Sequence, residues 1–250
     1  VEMVSGTTSV DSYGLFKKIT GNAVIKNIEI TGTIQAAVGS GYRAKIGAFA
    51  GSASDILEGA VIDNCKNSTS ITLIAATDVN NGSKIDGVGG IIGANTSIEL
   101  SNLSNSGNID ATGALAAANT DIINTYAFGG IAGQNAGNIS YCENTGNIIG
   151  SNCIGGIAGI TSGGVVSNCK NSGSLTSLGG QDCGGIVGRA KGTVKLSSNT
   201  GGVAAYRNHS GGIVGASNGV AVEECFNSGR VSAASGAGNS SAGIVGGLDS

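Results

Sequence analysis

Six cysteines, one histidine and sixteen carboxylates are the residues of this 250-residue chain with chemistry to offer. Cys65, Cys142, Cys153, Cys169, Cys183 and Cys225 contain no C-x-x-C pair, and the lone histidine has no second imidazole, so the donor set of a zinc site is missing. No metal and no cofactor is expected. An even cysteine count invites a disulfide framework. Against it, the positions equivalent to Cys65, Cys142, Cys169 and Cys225 in neighbouring stretches hold Ile28, Leu103 and Ser197. A position that accepts Ile and Leu is a packing position, so free thiols stacked in a narrow core are expected. Cys153 and Cys183 precede glycine pairs at offsets differing by one residue, which aims them differently. His209, in "YRNHSGG", reads as an exposed turn residue, and Asp63, Glu99, Glu143, Glu223 and Glu224 as solvent-facing carboxylates. "GGQD" (179–182) has the look of a calcium-binding glycine–aspartate repeat but occurs once. "GGIIG" and its copies lack the Lys-Ser/Thr of a phosphate loop.

The elements that carry these residues follow from a repeat. Aligned on Gly-x-hydrophobic-x-Gly, the chain presents Leu15, Phe49, Ile91, Ile131, Ile157, Ile186, Ile213 and Ile244 in one row. A second signature, C-x-N-x-G-x-V, follows each copy. Its Asn row is Ile30, Asn67, Asn105, Asn144, Asn171, Asn199 and Asn227, and its Gly row Gly32, Thr69, Gly107, Gly146, Gly173, Gly201 and Gly229. The closing apolar row is Ile34, Ile71, Ile109, Ile148, Leu175, Val203 and Val231. Within a copy the hydrophobics alternate with small polar residues over short runs, which is the period of a strand. Residues 112–128 are the one candidate for a short helix. Short strands, glycine corners and a period of about 27 residues describe a solenoid. The expected fold is all-β: a single-stranded parallel β-helix of about seven coils in one domain, 1–250, about 34 Å tall at the strand spacing. Right-handedness is expected from crossover chirality. Corner glycines would supply positive φ and close approach, and each row asparagine would bond the asparagine of the next coil.

"GGIAGQNAGNISYCENTGNI" (129–148) and "GGIVGASNGVAVEECFNSGRV" (211–231) resemble the GLUG repeat, and "YGLFKKITGNAVIKNIEITGTI" (13–34) resembles the first repeat of such arrays. The likeness covers nearly the whole chain. GLUG repeats occur in large bacterial surface and secreted proteins, among them adhesin-like proteins and the non-catalytic regions of IgA-specific metallopeptidases. The resemblance therefore implies an extracellular or cell-surface bacterial module with no catalytic residues to carry over.

Composition narrows the partners. With net charge −3 and 12% charged residues, the chain lacks the clustered Lys and Arg that nucleic acid requires. No apolar run is long enough to span a membrane. The copies differ most between the closing apolar row and the next glycine pair, where segments 35–46, 72–88 and 110–128 are lengthened. Sharing one phase of the coil, these insertions should project from one edge, and they hold Tyr42, Arg43, Lys45, Lys84 and Tyr126 as candidate binding residues for a glycan or host protein. The expected function is a structural and adhesive module. The alternatives are a glycan-cleaving β-helix, which requires converging carboxylates or a Lys/Arg cluster, and a self-assembling filament subunit joined end to end. The chain begins and ends inside the repeat pattern, which suggests continuation or end-to-end stacking.

Overall fold

The computed structural model describes residues 2–4, 10–38, 43–75, 84–117, 127–234 and 239–248. The chain is a parallel β-helix of about seven coils, each with five faces. In the first coil the faces are Val10–Tyr13, Phe16–Gly21, Val24–Lys26, Glu29–Ile30 and Thr33–Val38, here numbered one to five. Every strand pairs in parallel with its counterpart one coil away, giving three eight-stranded and two seven-stranded sheets. Successive coils begin at Val10, Arg43, Lys84, Phe128, Ile154, Cys183 and His209, and Ser240 opens an eighth turn.

The rows stack as the sequence implies. Ile109 pairs with Ile148, Ile148 with Leu175, and Leu175 with Val203 on face five. Between faces one and two the row isoleucines hand hydrogen bonds up the stack. Ile131 N donates to Ile157 O at 2.9 Å, and Ala132 N to the same oxygen at 3.0 Å. Both lone pairs of one carbonyl thus serve two successive donors of the neighbouring coil. Ile91, Ile131, Ile157, Ile186 and Ile213 are fully buried.

Six asparagines run through the interior of this stack. Asn67 donates its amide to Asn105 Oδ1 at 2.7 Å, Asn105 to Asn144 at 2.7 Å, and Asn144 to Asn171 at 2.8 Å. The chain of amides continues through Asn199 to Asn227 at 2.8 and 2.9 Å. Each Nδ2 spends its second hydrogen on the carbonyl two residues ahead, as Asn144 does on Gly146 O at 2.9 Å. Buried amides are tolerated only when so satisfied.

The glycine pairs exist to make room for this ladder. A Cβ on Gly90 would lie 2.5 Å from Asn105 Cγ, and one on Gly185 2.5 Å from Asn199 Cγ, each also colliding with the glycine carbonyl of the next coil. The Gly row answers to the same constraint: a side chain on Gly146 or Gly173 would run into the carbonyl of the row residue below. Thr69, standing in that row, buries its hydroxyl without a partner.

The expectation of positive-φ glycine corners holds between faces two and three, where Gly21, Gly59, Gly164 and Gly219 turn the chain at φ of 68–84°, but not at the next corner. The corner before face four turns on the residue preceding the Cys row, at φ between 48° and 58°, and no glycine occupies it: Asn27, Asn64, Asn102, Tyr141, Asn168, Leu196 and Glu224. Asparagine tolerates the left-handed region because its short side chain bonds locally, and it fills four of these corners. The glycines of the pairs and of the Gly row above Thr69 serve close approach instead. Of residues 112–128, Thr112–Ala117 form a helix that packs against face five, and 118–126 lie outside the described residues.

Two outcomes follow. Gly130→Ala places a methyl group against Asn144 Cγ and the Gly156 carbonyl and should collapse the denaturation midpoint or prevent folding, whereas Gly202→Ala, with open space around its Cβ, should leave the unfolding free energy within about 1 kcal/mol of the wild type. Leu196→Asn should raise stability by about 1 kcal/mol in urea unfolding, because it removes a branched side chain from the left-handed region and leaves no core contact behind.

Candidate functional site: the groove between faces one and two

The glycine that closes each Gly-x-hydrophobic-x-Gly motif folds face two back towards face one. A Cβ on Gly133 would stand 2.5 Å from Val88 N, and one on Gly159 2.5 Å from Phe128 N. The outer surfaces of the two faces therefore meet along a groove. By register, one wall is the row Ser12, Lys45, Gly87, Ala127, Cys153, Asp182, His209 and Ser240. The other is Lys18, Ser52, Ala94, Gln134, Ile160, Arg189, Ala216 and Gly247.

Polar side chains meet across it at three levels. Near the first coils, Ser12 and Ser52 exchange a hydroxyl hydrogen bond at 3.1 Å. In the middle, Gln134 Nε2 crosses to donate to the Asp86 carbonyl at 2.8 Å, while the Asp86 side chain is held along face one by Arg43 Nε at 2.7 Å. In the sixth and seventh coils, Arg189 Nε donates to Asp182 Oδ2 at 2.8 Å, while His209 Nδ1 lies 2.9 Å from Asp182 Oδ1. The Asp182 side chain is wholly shielded from solvent and that of His209 is 23% exposed. A carboxylate this buried needs a partner on each oxygen, which Arg189 and His209 supply.

His209 is thus not the exposed turn residue expected from its flanks; it sits in the strand His209–Gly211 with its ring on the groove wall. The signal was available in the repeat. Asp182 lies four residues before Ile186, and His209 four before Ile213, so alignment on that row stacks them on successive coils. Ser240 is next in the same row, but its hydroxyl donates to the Gly246 carbonyl at 2.8 Å, so Asp182 and His209 do not extend into a serine–histidine pair.

The other candidates sort as follows. Arg43 is committed to Asp86, and Lys45 lies on the groove wall. Lys84 opens the third-coil strand on face one, and its side chain is outside the described residues, as are Tyr42 and Tyr126 altogether. The lengthened connections do share one phase, all joining face five to face one. The first is not a longer loop, however: most of 35–46 is strand, Thr33–Val38 and Arg43–Gly47, leaving only 39–42 between them. In the second, strands Ser70–Ala75 and Lys84–Gly89 absorb both ends of 72–88. Glu99, Glu143, Glu223 and Glu224 are exposed. Asp63 is half-buried, and hydrogen bonds from Asn102 and Ser101 hold its carboxyl below the usual carboxylate range.

All six cysteines are free thiols. Those of the Cys row do more than fill space: Cys65, Cys142, Cys169 and Cys225 each donate to the carbonyl two residues back, at 3.2–3.3 Å, tying down the left-handed corner. Ser197 makes the same bond at 2.8 Å, which explains why serine substitutes in the row. Burial pushes the Cys142 and Cys183 thiols well up. Among the described residues no cluster of three or more His, Cys, Asp or Glu could hold a metal ion.

Comparison with protein-family models, with curated proteins and with solved structures returns no match.

Denatured protein should titrate with six equivalents of a thiol reagent, while Cys142, Cys169 and Cys183 should stay unmodified at pH 8 in the native state, as read by mass spectrometry of the labelled protein. Asp182→Asn should lower stability by roughly 3 kcal/mol in urea unfolding, because it removes the fully buried carboxylate charge that both Arg189 and His209 face.

Proposed function

We propose that the chain is a non-enzymatic module of a bacterial surface or secreted protein, of the GLUG-repeat type, acting as a rigid spacer and binding a glycan or host surface protein along the edge where faces five, one and two meet. The observation that carries this reading is how the repeat signature is used. Isoleucine, glycine, cysteine and asparagine rows are all consumed in joining one coil to the next, and the variation between copies is concentrated at the corner leading into face one. A scaffold with one variable edge is the usual arrangement of repeat proteins that bind through a lateral surface.

The groove carboxylates support a non-catalytic role. Asp86 and Asp182 are each neutralised by an arginine and stand three coils apart, about 14 Å at the strand spacing of ~4.8 Å. Paired glycosidase carboxylates work at separations of about 5–9.5 Å. Among the described residues no helix is long and apolar enough to cross a membrane.

The test is a glycan and host-matrix protein array probed with the wild type and with a variant in which 76–83 and 118–126 are replaced by connections as short as 151–153. Binding by the wild type that is lost in the folded variant is the expected outcome. Equal binding by both would move the site away from this edge, and no binding by either would leave the spacer role alone.

A further inference from the structure

Through the middle coils the groove is closed. Ala94, Ala127 and Cys153 are buried in it, Gln134 reaches across to the Asp86 carbonyl, and further up the Asp182–Arg189 pair spans the walls. At the first two coils it opens. There the wall rows carry Ser12 and Ser52, whose hydroxyls bond each other, and beside this small pair a depression of about 690 Å³ remains. That volume falls in the range of small-ligand sites, about 300–1,000 Å³.

Its lining is Ser12, Leu15, Phe16, Lys17, Lys18, Lys45, Ser52 and Ser54. Three features stand out. Among the described residues no carboxylate lines it, although the chain as a whole carries net charge −3. Lys45 has no ion-pair partner among the described residues, while Lys18 reaches outward to Asp55 at 2.7 Å. Phe16 and Leu15 are 40% and 59% exposed, at the end of rows whose later members, such as Ile92, Ala132, Ile91 and Ile131, are fully buried. A basic depression with an open aromatic face and a floor of hydroxyls matches one kind of molecule: a sugar ring whose apolar face stacks on the phenyl group, whose hydroxyls meet serines, and whose acidic substituent meets ammonium groups.

From this juxtaposition we propose that the open end of the groove binds an anionic oligosaccharide, with Lys45 taking the acidic group, Ser12 and Ser52 the ring hydroxyls, and Phe16 the ring face. This assignment rests on the adhesive reading above and supplies its ligand class. Lys45 stands next to Arg43 at the variable corner, so the depression is continuous with the edge already considered.

The experiment is calorimetric and NMR titration of the full chain at low salt with three tetrasaccharides: a carboxylated one (tetragalacturonate), a sulfated one, and neutral maltotetraose, with inorganic phosphate as a fourth ligand. The expected result is binding of one or both acidic sugars and not of maltotetraose, weakened about tenfold by Lys45→Gln and by Phe16→Ala and unchanged by Lys170→Ala on face four. The carboxylated and sulfated arms identify which acid the site prefers. Binding of all three sugars alike, phosphate binding as tight as the sugars, indifference to Lys45→Gln, or no binding at all would overturn the assignment. Array binding that is lost on shortening the connections yet survives Lys45→Gln would overturn it too, and would leave the adhesive reading intact.

Discussion

The whole architecture depends on how closely one coil's backbone can approach another's across the interior. The amide ladder from Asn67 to Asn227 sits where a Cβ on the second glycine of each pair would have to be. Ladder and glycine pair are therefore one device. The asparagines satisfy the polar groups that a tight bend would otherwise bury unpaired, and the glycines leave the volume the asparagines occupy. Because each amide bonds both the next coil and its own turn, the ladder sets the register of the stack as well as holding it together. A slip of one residue would replace an amide by a hydroxyl such as Ser106 or Thr145, or in the other direction by a charge such as Glu143 or Lys170, and leave two buried partners unmet.

This constraint explains a composition that is otherwise puzzling. Forty-six glycines would ordinarily destabilise a sheet protein through their backbone entropy. Here most of them stand where any side chain would strike backbone or an amide, so their entropy cost is the condition for a narrow, fully hydrogen-bonded core. The left-handed corners before face four are spread over asparagine, tyrosine, leucine and glutamate, and the conformational demand there is met in part by the Cys-row thiol or the Ser197 hydroxyl donating to the carbonyl just before the corner residue. The Cys row thus combines packing with a weak polar duty, which is why both Leu103 and Ser197 are found in it.

The same close approach produces the groove. When the last glycine of the motif lets face two fold against face one, the outer rows of two sheets are brought together, and residues that would point to solvent on an isolated strand become neighbours. Small side chains close the groove, ion pairs brace it, and serines leave it open. What occupies each level is set by single positions that the repeat does not constrain. That freedom is how a chain with so regular an interior acquires local chemistry, in a buried aspartate held by Arg189 and His209 at one end and a basic depression at the other.

The sequence by itself determined the parallel stacking, the number of coils, the buried isoleucine rows and the partners within the asparagine ladder, because like residues recur at like positions and a parallel solenoid places them one above another. It also placed the lengthened connections at one corner, though it could not separate longer strand from loop in 35–46. Only the tertiary structure decided which residues face each other across the groove. Asp182 and His209 share a row and were legible once aligned, but Arg189 belongs to another face, and its approach to Asp182 depends on the angle at the glycine corner. Likewise the left-handed backbone at Tyr141, Leu196 and Glu224 leaves no trace in residue type. Periodicity encodes what lies above what; the angle between faces arises from backbone contacts that no single row records.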